Sequence, residues 1–133
     1  MIVVDTNIIA YLFISGDFSG QAEYVLLKDP QWAAPLLWRS ELRSVLTQYI
    51  KKGFLNLADA VEIMESASQL MDNNEYDVNS ELVLTLAKQS NLSAYDCEFI
   101  ALAKDLDVKL VTADQRIAEK FPGYTLLLQD FTK

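Results

Sequence analysis

Residues 2–7 carry the sequence Ile-Val-Val-Asp-Thr-Asn. Three consecutive apolar residues without polar alternation are typical of a strand that is buried on both faces, as strands of parallel sheets are. Asp5 follows this run directly. In parallel α/β sheets, ligands bind beyond the carboxyl ends of the strands. The segment therefore predicts a buried strand over Ile2–Val4 and makes Asp5 a candidate functional carboxylate.

The rest of the chain alternates short apolar runs with segments of helical periodicity. Further strands are predicted over Trp32–Ala34, Glu75–Val78, Leu110–Thr112 and Tyr124–Leu128. Helices are predicted over Phe18–Lys28, Leu36–Lys52, Leu57–Met71, from Asn79 or Ser80 to Ala87, from a capping Ser93 to Leu106, and over Asp114–Lys120. This alternation predicts an α/β fold, a three-layer α/β/α sandwich with a central, mostly parallel sheet of about five strands.

The length and composition point to one ordinary folded domain. The chain has 133 residues, and a single domain is expected over residues 1–133. With 51% hydrophobic and 23% charged residues, it is too apolar for a disordered chain and too charged for a membrane protein. No apolar run approaches the roughly 18 residues of a spanning helix, and no secretory signal pattern opens the chain. The expected location is the cytoplasm, without membrane contact.

The chain has no histidine, and Cys97 is its lone cysteine. This excludes the Ser-His-Asp and Cys-His nucleophile systems, histidine-ligated metals and thiolate-cage zinc sites. Chemistry at neutral pH must therefore come from carboxylates, hydroxyls, lysines or a hard metal ion. The net charge of −8 argues against a basic protein that wraps duplex nucleic acid.

Three aspartates occupy positions that are typical of a functional site. Asp5 and Asp114 each follow a predicted strand directly, so parallel strands would bring both to one sheet edge, although a turn or helix-cap role is the alternative. Asp96 is the third residue of the helix that begins at Ser93 and lies on its apolar side, whereas Glu98 is expected to face solvent. Burying an unpaired carboxylate costs several kcal/mol, so we expect a cation beside Asp96.

Glu41 repeats this pattern on another helix. It lies on the same side as the apolar Trp38 and Leu42, and a solvated position at the margin of that side is the alternative. Arg39 and Arg43 lie on the opposite face, where they are either surface residues or contacts for RNA phosphates. Four carboxylates from four elements therefore converge in this interpretation, namely Asp5, Glu41, Asp96 and Asp114.

A cluster of four like charges requires a divalent metal ion or raised pKa values. Oxygen ligands without histidine point to Mg²⁺ or Mn²⁺ rather than to zinc. The typical reaction at such a site is in-line displacement at phosphorus with water as the nucleophile. These four acids would account for half of the net charge of −8.

At this point the residues resemble a known family, the PIN-domain ribonucleases, and in particular the VapC toxins of type II toxin–antitoxin systems. The matching motifs occur in the order of the family and span nearly the whole chain. They are Val-Val-Asp-Thr-Asn at residues 3–7, Glu41 after a Pro-Leu-Leu segment, Ser-Ala-Tyr-Asp at residues 93–96 followed by Ile-Ala-Leu-Ala at 100–103, and Val-Thr-Ala-Asp at 111–114.

The resemblance implies a sandwich with strand order 3-2-1-4-5 and a Mg²⁺- or Mn²⁺-dependent endonuclease that cleaves RNA. It implies that Asp5, Glu41 and Asp96 hold the principal metal ion, while Asp114 assists a second ion or positions water. Thr6, Asn7 and Thr112 are candidate supporting groups or only local turn residues. The resemblance also implies a homodimer and an antitoxin partner whose tail covers the acidic pocket.

The segment Leu55–Glu98 contains nine acids and a single base, Lys88, and is therefore a poor platform for RNA. RNA is expected to enter along the side that carries Arg39, Lys51, Lys52 or Arg116. The apolar helix Leu57–Met71 in this segment serves either core packing or a dimer or antitoxin face.

Two other protein classes with acidic pockets at strand ends need residues that this chain lacks. A phosphotransfer receiver domain needs adjacent acids after its first strand, but Asp5 stands alone. A haloacid-dehalogenase-type phosphatase needs a second aspartate where Asn7 stands. Two alternatives stay open: a non-catalytic interaction module that keeps the PIN fold, and a PIN nuclease that acts in RNA processing without an antitoxin.

Overall fold

The computed structural model describes residues 1–131, which include a five-stranded sheet in which every neighbouring pair of strands is parallel. The strand order is β3-β2-β1-β4-β5, which confirms the expected order and fold class. The strands are β1 Ile2–Val4, β2 Trp32–Pro35, β3 Glu75–Tyr76, β4 Leu110–Thr112 and β5 Thr125–Leu127. The last two residues of the predicted domain 1–133 lie outside the described residues.

The part of the chain that the structure describes forms eight helices. They are α1 Thr6–Phe13, α2 Ser19–Lys28, α3 Trp38–Lys51, α4 Leu57–Leu70, α5 Ser80–Gln89, α6 Ala94–Leu106, α7 Gln115–Lys120 and α8 Leu128–Phe131. The two predicted strands at 75–78 and 124–128 are shorter than expected. Helices α1 and α8 were not predicted; both follow a strand without an intervening turn, so no Gly or Pro marks their start.

The helices cover both faces of the sheet, as a parallel sheet requires. Helices α5 and α6 pack together, and α6 lies against β1, β2 and β4. Helix α1 contacts α2 and α3, while α7 and α8 lie against β4 and β5. None of the described helices has the length and apolar character that crossing a membrane requires.

Strand β1 forms the centre of the hydrophobic core. Val3 and Val4 are fully buried, and Val4 pairs with Val111 of β4. On the other side, Val3 pairs with Ala33 of β2. This register brings the carboxyl ends of β1 and β4 side by side, so that the residues after each strand lie at one edge of the sheet.

A polar clamp fixes the short edge strand β3 to helix α3. The indole nitrogen Nε1 of Trp38 donates to Glu75 Oε2 at 2.8 Å, and Arg39 donates to both oxygens of Glu75 at 2.6 and 2.7 Å. The Arg39 guanidinium holds the pKa of the Glu75 carboxyl below its usual range. Arg39 therefore anchors the edge strand β3 to helix α3.

Candidate functional site

The four acids singled out in the sequence line one cavity of about 270 Å³, which we call the acid cavity. It lies beyond the carboxyl ends of β1 and β4, where the first turns of α3 and α6 also converge. Thr6 and Asn7 line it as well. The complete lining is Asp5, Thr6, Asn7, Glu41, Ser44, Val45, Asp96, Phe99, Asp114 and Ile117.

Asp5 is the most buried acid of the cavity, with 7% of its surface exposed. Its Oδ1 accepts a hydrogen bond from the backbone N–H of Ile8 at 3.2 Å, so it caps α1. Its Oδ2 accepts from the hydroxyl of Thr112 and from the N–H of Ala113. Burial raises the pKa of Asp5 to about 6, although these hydrogen bonds oppose the shift, and the charge of Asp114 raises it further. Asp5 therefore caps helix α1 and lines the acid cavity at the same time.

Thr112 connects the ends of β1 and β4. Its hydroxyl donates to Asp5 and accepts from the backbone N–H of Asp114 at 3.0 Å. Thr112 is fully buried, so this arrangement is protected from water. One side chain therefore positions the buried carboxylate of Asp5 and the backbone of the residue that starts α7.

Glu41 enters the cavity from the first turn of α3. The Thr6 hydroxyl donates to its Oε1 at 2.7 Å. Partial burial raises the pKa of Glu41, the Thr6 hydrogen bond lowers it, and the nearby charge of Asp96 raises it again. Glu41 is partly exposed, as the alternative of a position at the margin of the apolar side implies. It nevertheless lines the cavity together with the other three acids.

Asp96 enters from the first turn of α6, and its side chain is 29% exposed. The helix cap is Ser93, whose Oγ accepts from the Asp96 N–H at 3.1 Å, so the Asp96 carboxylate has no capping role. Glu98 was expected to face solvent but is partly buried and lies near Glu41. Burial and the charge of Glu41 raise the pKa of Glu98.

Asp114 caps α7 and is held by a base of the same helix. Its Oδ1 accepts from the N–H of Arg116 at 2.9 Å, and its Oδ2 accepts from the guanidinium at 2.8 Å. This contact lowers the pKa of Asp114. The same guanidinium lies 3.9 Å from Asp96 Oδ2 and is 70% exposed. Arg116 is thus the cation expected beside Asp96, but it binds mainly to Asp114.

The donor set of the acid cavity consists of oxygens, which suits Mg²⁺ or Mn²⁺. Burial also leaves Asp5 and Glu41 with raised pKa values, which indicates carboxylates that a nearby cation would stabilise. Within residues 1–131, however, no three acids or cysteines lie close enough together to share a metal ion. The chemistry of the donors therefore fits a divalent ion, while the carboxylates must turn toward each other to bind one.

A larger groove of about 660 Å³ lies outside the acid cavity, between the ends of α1 and α3 and the start of α4. Both readings of helix α4 have support in its burial pattern. Ala60 and Ala67 are buried in the core, whereas Leu57 and Val61 are exposed by 69% and 48%. Core packing thus accounts for one side of α4 and leaves apolar side chains on the other.

The chain matches the family model of the PIN domain over residues 2–121. It is similar to Ribonuclease VapC9 of Mycobacterium tuberculosis, with 30% identity over 119 residues that cover 90% of each chain. It is also 27% identical to Ribonuclease VapC3 of Pyrobaculum aerophilum over 125 residues, 92% of this chain and 95% of the relative.

A solved toxin–antitoxin complex from Klebsiella pneumoniae contains a chain of the same fold, with a TM-score of 0.71 and 22% identity. The match covers 96% of this chain and 98% of that one. The fold, the family model and the curated relatives agree over nearly the whole length. The chain therefore belongs to the PIN domain family, as a relative of the VapC ribonucleases.

Proposed function

We propose that this protein is a metal-dependent endoribonuclease and the toxin of a toxin–antitoxin pair. The observation that carries the proposal is the convergence of four carboxylates from four separate elements on one cavity of a PIN fold. The names of the curated relatives, which are ribonucleases, support the activity. No observation favours a non-catalytic interaction module, because none of the four acids is lost.

In this proposal Asp5, Glu41 and Asp96 hold a Mg²⁺ or Mn²⁺ ion, and Asp114 assists a second ion or positions water. When bound, the ion activates water for attack on phosphorus and neutralises the charge that develops. The hydroxyls of Thr112 and Thr6 hold Asp5 and Glu41 at the cavity by hydrogen bonds. The carboxylates would still have to turn toward each other for three of them to share the ion.

The absence of histidine supports hydrolysis by water. Metal-free cleavage of RNA through the ribose 2′-hydroxyl needs an acid and a base that work near neutral pH, a role to which imidazole is suited. Attack by water leaves the 2′-hydroxyl unused and gives products with a 5′-phosphate and a 3′-hydroxyl. The low basic charge of the chain favours single-stranded or loop RNA over a long duplex.

The toxin role requires a partner that restrains the enzyme, and we propose a cognate antitoxin together with a homodimer in the cytoplasm. The Klebsiella pneumoniae structure is described as a toxin–antitoxin complex, which supports such a partner. Exposed Leu57 and Val61 on α4 offer apolar surface for one of these contacts. A nuclease of RNA processing would lack the antitoxin, and the neighbouring reading frame separates the two roles.

The test is cleavage of a structured RNA such as tRNA by the purified protein with Mg²⁺ or Mn²⁺. Asp5→Asn should abolish cleavage, while Asp105→Asn, which removes an exposed acid at the other end of α6, should not. EDTA should stop the reaction. Cleavage that persists in EDTA, or products that end in a 2′,3′-cyclic phosphate, would contradict the mechanism, and no cleavage of any RNA would favour the interaction module.

A further inference from the structure

We propose that a cleft beside helix α7 binds the RNA strand that continues from the scissile phosphate. This inference rests on the proposed nuclease function and adds a substrate-binding site to it. The cleft, called here the α7 cleft, has a volume of about 320 Å³. Its lining is Asn91, Leu92, Arg116, Glu119 and Lys120.

Helix α7 separates the α7 cleft from the acid cavity. Asp114 and Ile117 line the acid cavity, whereas the adjacent Arg116 and Lys120 line the cleft. Arg116 stands at the junction, because its guanidinium contacts Asp114 at 2.8 Å and lies 3.9 Å from Asp96. A strand with one phosphate at the acids would therefore pass Arg116 on its way into the cleft.

The acid cavity is lined by negative charges, whereas the α7 cleft contains two positive charges. The described lining of the acid cavity contains four carboxylates and no lysine or arginine, so the phosphates on either side of the reacting one would be repelled there. Arg116 and Lys120 are four residues apart on α7 and lie on one side of the helix. They offer two phosphate contacts at the position where the strand leaves the acids.

The contact between Arg116 and Asp114 does not prevent this role. The guanidinium contacts both oxygens of Asp114 but is 70% exposed, and exposed ion pairs typically contribute about 0.2–1 kcal/mol, so a phosphate can compete with the carboxylate for Arg116. Arginine also binds phosphate with two parallel hydrogen bonds. Glu119, the one acid that lines the cleft, accepts a hydrogen bond from Gln115 at 3.1 Å.

The other bases expected to guide RNA are less well placed. Arg39 is held by Glu75 at the edge of the sheet. Lys51 and Lys52 lie at the end of α3, ten and eleven residues beyond Glu41, which corresponds to about 15 and 16 Å along the helix. The polar Asn91 and the apolar Leu92 complete the cleft, and together they suit a nucleotide whose base is unpaired.

The test measures binding of a fluorescently labelled single-stranded oligouridylate of about ten nucleotides, a length within the usual site size of such proteins. The measurement is made in EDTA, so that cleavage does not interfere. Lys120→Gln and Arg116→Gln should each weaken binding about three- to tenfold and reduce the salt slope of log K by about 0.7. Lys28→Gln, which removes one exposed charge from α2, is the matched control and should bind like the wild type.

Lys120→Gln is the decisive variant, because Lys120 lies outside the acid cavity. In cleavage assays with Mn²⁺ it should raise KM about three- to tenfold and leave kcat unchanged. If Lys120→Gln cleaves RNA and has the wild-type affinity and KM, the proposed role of the α7 cleft is wrong. The nuclease proposal is then unaffected. A larger loss in Lys52→Gln would also contradict the role of the α7 cleft. A wild-type protein that neither binds nor cleaves RNA would overturn both proposals.

Discussion

Thr6 donates a hydrogen bond of 2.7 Å to Glu41, and this bond joins the first turn of α1 to the first turn of α3. The two residues are 35 positions apart in the sequence. This bond favours the charged form of the half-buried Glu41 carboxylate and so opposes the rise in pKa that burial causes.

The first prediction concerns this pair. Thr6→Val should raise the pKa of Glu41 further, so that Mn²⁺ binding begins at a higher pH than in the wild type. Thr6→Ser keeps the hydroxyl and should behave like the wild type. Calorimetric titration with Mn²⁺ over a series of pH values measures the shift between the variants. Identical pH profiles for the valine and serine variants would show that the bond has no such role.

The second prediction concerns the stability of the metal-free protein. Asp5 has a pKa of about 6 in the fold against 3.8 for a free side chain, so the folded state binds its proton more tightly than the unfolded state does. The stabilisation from this group is complete below pH 4 and is lost as the pH rises through 6. The loss amounts to about 3 kcal/mol by pH 7.

Urea unfolding in EDTA at pH 4.5 and pH 7 tests this loss, since the two values lie on either side of the folded-state pKa of Asp5 and include about 2 kcal/mol of the loss. Asp5→Asn should remove most of the difference between the two values. Glu41 adds to the effect with the same sign, while Asp114 and Glu75 have lowered pKa values and titrate below this range. Stability that rises between pH 4.5 and pH 7 would contradict the prediction.

The third prediction separates function from structure on α6. Asp96→Asn should leave the metal-free fold as stable as the wild type or more stable, because it removes a charge from a repelling cluster and leaves the Ser93 cap in place. The same change should greatly weaken Mn²⁺ binding. Ser93→Ala should have the opposite profile, with a loss of about 1 kcal/mol in unfolding free energy and little loss of metal affinity. A strongly destabilised Asp96→Asn would make Asp96 a structural residue.

The fourth prediction concerns the clamp at the sheet edge. Glu75→Ala leaves the indole N–H of the fully buried Trp38 without its partner and should lower the unfolding free energy by about 2 kcal/mol. Arg39→Gln should cost less, because Arg39 is 42% exposed. RNA cleavage per folded molecule should be unchanged in both variants. A selective rise of KM for RNA in Arg39→Gln would show that Arg39 also contacts the substrate.

Local sequence determines the central strands well. Strands β1 and β4 have the predicted bounds because each is an unbroken run of apolar or β-branched residues. Asp5 follows the first run directly, and Thr112 is the last residue of the second. The cap Ser93 was also predicted from local sequence, since a capping side chain acts within three residues of its own position. Strand order was predicted through the family resemblance rather than from the pattern.

The contacts that organise the site depend on distant residues and were less predictable. The presence of the four acids at one cavity followed from strand ends and helix faces. The link from Thr112 to Asp5 spans 107 positions, and the contact of Arg116 with Asp114 depends on the rotamer of an exposed side chain. Glu98 was wrongly expected to face solvent because a single-helix projection leaves out the neighbouring elements, here α3 with Glu41. The roles of the acids stay predictions until metal binding is measured.

The hydrogen bond between Asp5 and Thr112 has a consequence for synthesis on the ribosome. Asp5 is among the first residues to be translated, yet its partner strand β4 and the capping Asp114 are made only after about a hundred more residues. At typical rates of 5 to 20 residues per second, this delay lasts about 5 to 20 seconds. A nascent chain therefore carries the first acid without the partners that orient it, and the acid cavity cannot assemble until β4 and Asp114 have emerged from the ribosome.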